Sequence, residues 1–338
     1  MEEKLLKLAL IGFGNAAQSF AELLLLKKEH IQKTTGTRIL VTAIAGNSKG
    51  TLINDHGIDL REVLYNLKTS NIFDNALRLN TFEMLERTNA DVAIELSPLS
   101  IKDGQPAIDY IKAAFAKGMH VITANKGPIA WAFNELCDIA RKNNLQFLYE
   151  CTVMDGTPVF NLVKYTLPGC EVISFEGILN TTTNYILGEM EQNRSFKEAV
   201  KEAQQRGFAE ADPSMDITGM DAAAKTCALA NVLMNAGLNP TMIETHGIEH
   251  ITTEELNQAR KDDSTIKLLC MGFKDERGVH GIVKPAVIPL SHPFATVEGT
   301  SSVLSIETDL MGKITIIEHD PEIEQTAYGI FSDMMQLI

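Results

Sequence analysis

The residues best suited to chemistry lie between positions 207 and 225, in the stretch GFAEADPSMDITGMDAAAK. It holds four carboxylates, Glu210, Asp212, Asp216 and Asp221, and one lysine, Lys225. Pro213 and Gly219 mark its first part as a loop. From Met220 the pattern becomes helical and is expected to stop at Gly237. Asp221 and Lys225 stand four apart on that helix and so share a face. A lysine ringed by carboxylates suits a small substrate that carries an amino group and a reacting oxygen. The same spacing also describes an ordinary surface ion pair beside solvated loop acids.

Such a site needs elements to hold it, and the N-terminal half supplies a strand–turn–helix unit. Residues 5–11 form an apolar run of strand length, followed by Gly12-Phe13-Gly14-Asn15-Ala16-Ala17 and an amphipathic helix over 19–31. This is the context that makes a dinucleotide fingerprint credible. Gly12 allows the tight turn, Gly14 lets the backbone approach a diphosphate, and Ala17 allows close helix–strand packing. The anion would rest on the N-terminal N–H groups of the helix. A plain glycine turn is the alternative. The second strand, residues 38–45, ends in Gly46-Asn47-Ser48-Lys49 with no acid to bind an adenosine ribose hydroxyl. Ser48 and Lys49 could instead meet a 2′-phosphate, which favours NADP over NAD, unless they are a polar surface turn.

Further strands are expected over 91–96 and around 121–123, with a helix over about 106–117. Ser97 and Lys126 then stand at strand C-terminal ends, where ligands of such sheets bind. Residues 145–153 read as another strand, and Asp155-Gly156 as a turn before a helix that opens near Pro158. Residues 171–179 read as a strand, 181 onward as a helix, and Ser195 to Glu198 as a capping box. After Gly237, four strand-like segments fit an antiparallel sheet, and residues 321–338 form an amphipathic helix. The fold class is therefore α/β: a Rossmann-type doubly wound parallel sheet over residues 1–150, plus an α+β domain over 151–320.

Composition limits the function. With 338 residues and 45% apolar content the chain can bury two cores. A net charge of −14 argues against nucleic-acid or anionic-membrane binding. The N-terminal apolar run is short and interrupted by glycine, which excludes a membrane span and a signal peptide. Cys137, Cys151, Cys170, Cys227 and Cys270 are scattered, which suits free thiols in a cytoplasmic enzyme. His246-Gly-Ile-Glu249-His250 matches a zinc-hydrolase string, but Gly247 and the β-branched neighbours disfavour the helix that chemistry needs.

The stretch 207–225 resembles the homoserine dehydrogenase signature G-x-x-E-x-D-P-x-x-D-x-x-G-x-D-x-x-x-K. Every fixed position is filled, and Ala224 stands where the family commonly has arginine. TANKGPIA around Lys126, YECTVMDGTPVF at 149–160 and NTTTNYIL at 180–187 resemble three more motifs in family order, with Met154, Asp155 and Thr181 replacing usual glycines. The resemblance implies reversible reduction of L-aspartate 4-semialdehyde to L-homoserine with NAD(P)H, in the threonine, methionine and isoleucine branch of amino-acid biosynthesis. It implies Lys225 as proton donor held by Asp221, and Lys126 near the nicotinamide and the reacting oxygen. Glu210, Asp216 and Thr182 would hold the substrate, with Asp212 bracing their loop. A sodium ion would sit on Glu150 and the carbonyls of Val153, Asp155 and Thr157. A homodimer, a C-terminal helix returning to the nucleotide domain, and a short form without kinase or ACT-type domain are also implied. The rival readings are another Rossmann dehydrogenase acting on an amino-acid-derived aldehyde or alcohol, and a catalytically silent NADP-binding protein.

Overall fold

The computed structural model describes residues 4–338. The chain divides into two compact units. The first comprises the residues up to Pro128, then Ala132–Pro158 and Glu322–Ile338. Its elements begin with β1 (Lys4–Ile11), α1 (Asn15–Thr35), β2 (Thr37–Gly46), β3 (Gly50–Ile53), α2 (Leu60–Ser70) and α3 (Thr81–Arg87). They continue with β4 (Val92–Glu95), α4 (Ala107–Ala116), β5 (His120–Thr123), α5 (Lys126–Lys142) and β6 (Phe147–Leu148). The strand order is β3-β2-β1-β4-β5-β6. All neighbours are parallel except β2 and β3. The order reverses between β1 and β4, the switch point at which such sheets take their ligands. Both sheet faces are covered, so the inner strands are mostly apolar: Leu8, Leu10, Val92 and Ile94 are fully buried.

The turn after β1 explains its glycine. Gly12 has φ +93°, and its N–H donates to the Ala45 carbonyl at 2.8 Å. A Cβ there would sit 2.3 Å from the Leu96 carbonyl oxygen. Only glycine lets the ends of β1 and β4 come this close.

The second unit comprises Ile129–Trp131 and Val159–Pro321. It runs α6 (Val159–Thr166), β7 (Val172–Ile178), α7 (Thr181–Glu191), α8 (Phe196–Gln205), α9 (Ser214–Ile217) and α10 (Met220–Met234). Then follow β8 (Glu244–Thr245), α11 (Thr253–Lys261), β9 (Ser264–Asp275), β10 (Gly278–Pro289), β11 (Ser302–Thr308) and β12 (Gly312–Glu318). The sheet order is β12-β11-β7-β9-β10-β8, antiparallel but for the short β8–β10 pair. Pro285 is tolerated in β10 because β8 pairs only with Ile282 and Val283, leaving that edge open beyond them. In α10, Ala222, Ala223, Ala224 and Ala228 are fully buried, and these small side chains let the helix lie close on β9 and β10. The last helix, α12 (Ile323–Met335), belongs to the first unit and packs on α1. Ile330 and Met334 enter its core. The buried Asp333 accepts the Glu150 N–H at 2.9 Å, and Thr326 donates to Asp155 at 2.5 Å.

Two expectations need correction. The expected strand over 145–153 is only Phe147–Leu148 before a 3-10 turn at Glu150–Thr152, because the Glu150 N–H goes to Asp333 rather than to a ladder partner. Helix α10 stops at Met234, where Asn235 takes the left-handed cap (φ 52°), short of Gly237; asparagine is the usual second choice for that cap. Residues 46–49 do more than end β2: Lys49 N–H closes on the Gly46 carbonyl at 3.0 Å and the chain returns as β3. His246 follows β8, and the residues after it form a turn, so no helix aligns it with His250.

Gly12 and Gly14 should therefore respond differently to alanine. Gly12→Ala should lower stability by roughly 1–3 kcal/mol through the disallowed φ and the Leu96 clash. Gly14→Ala should melt like the unaltered protein, since a Cβ there has nothing within 4 Å. Thermal melts of the two variants check this, and equal melting temperatures would contradict it.

Candidate active site

Within the second unit, the end of β7, the first turn of α7, α9 and the start of α10 converge. Lys225 donates from Nζ to the Leu179 carbonyl at 2.7 Å, and lies 3.9 Å from Asp221 Oδ2. Their side chains are only 17% and 13% exposed, which separates the pair from a solvated surface ion pair. Asp216, at the C-terminal part of α9, joins them through Asn180. The Asn180 amide donates to Asp216 Oδ1 at 2.7 Å and to Asp221 Oδ2 at 3.1 Å. Its Oδ1 accepts the Thr183 N–H at 2.9 Å, which makes Asn180 the N-cap of α7. Burial, and next the Asp221 charge, push the Asp216 carboxyl above its ordinary value; Asn180, Thr182 and Lys225 pull it back.

Thr182 is buried in the first turn of α7, and its hydroxyl donates to the Phe208 carbonyl at 2.9 Å. Glu210 and Asp212 do not join the cluster and are exposed on the loop. Asp212 accepts the Ser214 N–H at 3.1 Å, which holds its carboxyl below the usual range. Gln204 secures the same loop by donating to the carbonyls of Glu210 and Ala211 at 3.3 and 3.0 Å.

In the first unit, α1 starts at Asn15 with Gly14 as N-cap, no side-chain cap and no acid in its first turn. Its positive end is unquenched, and the space above Gly14 is open. That cradle fits a diphosphate. Ala16 lies in the same first turn, while Ala17 is fully buried against the sheet. Phe13 is buried and meets the Phe73 ring edge-on at 5.6 Å, so its side chain serves the core. Ser48 is exposed and Lys49 half-buried on the β2–β3 hairpin. Ser97 follows β4, and Lys126 opens α5 directly after its N-cap Asn125, whose Oδ1 accepts the Gly127 N–H at 3.0 Å. Glu150 is buried; Asp155 takes φ +43°, and the Thr157 N–H closes a turn on the Met154 carbonyl at 2.8 Å. Among the described residues no group of three or more His, Cys, Asp or Glu could hold a metal. All five cysteines are free. Burial pushes the Cys227 thiol up to about 12 and the Cys270 thiol up to about 11, so neither is a ready nucleophile.

Sequence reasoning passed over Asn180 and Glu95. An asparagine directly before three threonines and a helix is a capping signal. An acid ending the otherwise apolar strand DVAIEL is a buried charge that needs an explanation.

Comparisons with known proteins identify the family. The model of the family described as homoserine dehydrogenase matches residues 158–335. The chain is 36% identical to a homoserine dehydrogenase of Methanocaldococcus jannaschii, covering 97% of both chains. It is 33% identical to a protein of Pseudomonas canavaninivorans named NAD(+)-dependent homoserine dehydrogenase, covering 98% of this chain and 96% of that one. The crystal structure of a homoserine dehydrogenase from Thiobacillus denitrificans superposes with a TM-score of 0.85 at 28% identity, over 99% of this chain and 73% of that chain. With similarity running the length of both units, this chain belongs to the homoserine dehydrogenase family.

Proposed function

We propose that the protein interconverts L-aspartate 4-semialdehyde and L-homoserine with a nicotinamide cofactor, within amino-acid biosynthesis. The observation that carries this is the half-buried set of two acids joined by Asn180, with Lys225 held beside them by Asp221 and the Leu179 carbonyl. When bound, the nicotinamide supplies or accepts the hydride. The chain's own groups handle everything else. Lys225 gives a proton to the aldehyde oxygen during reduction and takes it back during oxidation, with Asp221 steadying the ammonium. Lys126, in the first unit, is assigned by the resemblance either to the reacting oxygen or to orienting the nicotinamide ring. Asp216 binds the substrate ammonium, Glu210 reaches it only through movement of its exposed loop, Asp212 braces that loop, and Thr182 with the N-terminus of α7 receives the substrate carboxylate. A sodium ion on Glu150 and the carbonyls of Val153, Asp155 and Thr157 suits a turn with a single buried carboxylate, and no step depends on it.

We assign the first unit, which runs on to Pro158 rather than ending at residue 150 and takes in the C-terminal helix, as the cofactor-binding domain, and the second unit as the catalytic and dimerisation domain. The homodimer rests on the family resemblance; the exposed apolar residues of the second sheet fall on both of its faces, Phe273 and Ile317 on one and Ile173 and Val287 on the other. Among the described residues no helix is long and apolar enough to cross a membrane. The free thiols support a cytoplasmic location.

Lys225→Ala should fold and bind NADPH but lose turnover roughly 1000-fold in both directions. A variant with near-normal kcat would make Lys225 structural and remove this mechanism. Homoserine oxidation by the unaltered protein, set beside unrelated alcohols, tests the substrate itself.

Ser48 and Lys49 favour NADP. The kcat/KM should be higher with NADP than with NAD, and Lys49→Ala should narrow the gap. The Pseudomonas relative is named for NAD(+), so a preference for NAD that ignores Lys49 is the outcome that would reverse this assignment.

Asp216 links function to stability. A carboxyl raised in the folded state costs stability above that raised value, and the cost disappears below the ordinary carboxylate pKa of ~3.9. Asp216→Asn should therefore raise the melting temperature by roughly 1–2 °C near neutral pH, with the gain fading as the pH falls toward ~4. Its homoserine KM should rise about 10- to 100-fold through loss of a charged partner. Melts across pH with steady-state kinetics check both, and a variant that is less stable at neutral pH contradicts the account.

A further inference from the structure

Glu95 ends β4 at the switch point of the first sheet, next to the turn that follows β1. It has no exposed surface, so it cannot touch a ligand. Its partners are neutral and come from two different strand ends. Oε1 accepts the Ser97 N–H at 2.8 Å and the Ser97 hydroxyl at 2.5 Å. Oε2 accepts the Thr123 hydroxyl at 2.8 Å. Thr123 Oγ1 in turn accepts the Asn125 N–H at 3.0 Å, and the Asn125 amide closes the ring by donating to the Ser97 carbonyl at 3.3 Å. The other end of Asn125 takes the Gly127 N–H at 3.0 Å.

The ring therefore grips the backbone on both sides of Lys126 and at Ser97. Lys126 is the group assigned to the nicotinamide, and Ser97 stands at the strand C-terminal end beside it, where ligands of such sheets bind. Burying a carboxyl among apolar strands is unfavourable unless its hydrogen bonds are met. Here the partners of Glu95 are Ser97, just after β4, and Thr123, the buried last residue of β5, so the carboxyl ties two neighbouring strand ends together. A carboxyl with two oxygens can hold two loops in one register; a hydroxyl or an apolar side chain cannot.

We propose that Glu95 is a positioning residue for the nicotinamide end of the cofactor, setting the Ser97 and Asn125–Lys126 loops against each other without contacting either ligand. This rests on the dinucleotide reading of the first unit and extends it to a residue outside the glycine turn. Because Glu95 acts at one end of the nucleotide site, its loss should affect one end of the nucleotide. The diphosphate cradle at Gly14 is the start of α1, and none of the ring's hydrogen bonds reaches it, although Gly12 packs on the Leu96 carbonyl.

The test compares NADPH with 2′-phospho-ADP-ribose, the same nucleotide without the nicotinamide ring. Dissociation constants are measured by calorimetry for the unaltered protein, Glu95→Gln and Thr123→Val. The valine variant keeps the β-branched shape and removes only the hydroxyl that joins Glu95 to Asn125, so it decides the matter if Glu95→Gln misfolds. Both variants should bind NADPH roughly 10-fold more weakly and the fragment within about twofold of the unaltered protein. Their kcat should fall about 100-fold with the homoserine KM unchanged, as expected for a misplaced reacting group. Equal weakening of both nucleotides would make Glu95 a structural residue, and unchanged NADPH binding would remove its role. Because the comparison is made by binding, it is decisive even if the protein proves inactive on homoserine.

Discussion

The second unit depends on what a single amide can do. Asn180 uses both hydrogens and its oxygen: the oxygen caps α7, and the hydrogens reach Asp216 and Asp221. Two carboxylates drawn to one place repel each other, and partial burial strengthens the repulsion. A neutral double donor between them offsets this without placing a second cation in the site. The amide is fixed because Asn180 follows β7 and starts α7, so sheet and helix together orient it. The acids on α9 and α10 are thereby referred to the sheet rather than to their own loop.

The first unit meets the same constraint by the same means. Glu95 is buried with hydroxyl and amide donors, and no cation is among its recorded partners. Neutral donors satisfy a buried acid without the desolvation of a second charge. At the second-unit cluster this matters for Lys225. Its short contact is a backbone carbonyl at 2.7 Å, and its acid partner is looser at 3.9 Å. A lysine held this way is oriented but not consumed by a tight ion pair, which suits a group that must respond to charge developing on an oxygen.

Small residues set how closely the elements approach. The alanines of α10 bring that helix onto β9 and β10, and Gly12 brings the end of β1 to the start of the loop after β4. Neither places a reactive group itself. Both reduce the distance over which the reactive groups must be held, and so the number of torsions that could misplace them.

Much of this was legible in the residues. Period-two and apolar runs marked β1, β2 and β7, the glycine turn marked α1, and Ser195 with Glu198 marked the start of α8, because each of these signals is local. The stretch 207–225 marked a candidate site and brought a family resemblance with it. Its spacing showed that Asp221 and Lys225 share a helix face, but not that Asp216 joins them while Glu210 and Asp212 stay exposed. That sorting is made by Asn180, roughly thirty to forty positions earlier in the chain. The shortened β6 likewise depends on Asp333, far along the chain. The sequence by itself determined which residue types were available and marked the helices and strands with strong local signals, since those follow from neighbours a few positions away. Only the tertiary structure decided which acids are desolvated and which amide holds them, because burial and hydrogen-bond partners belong to segments distant in the chain.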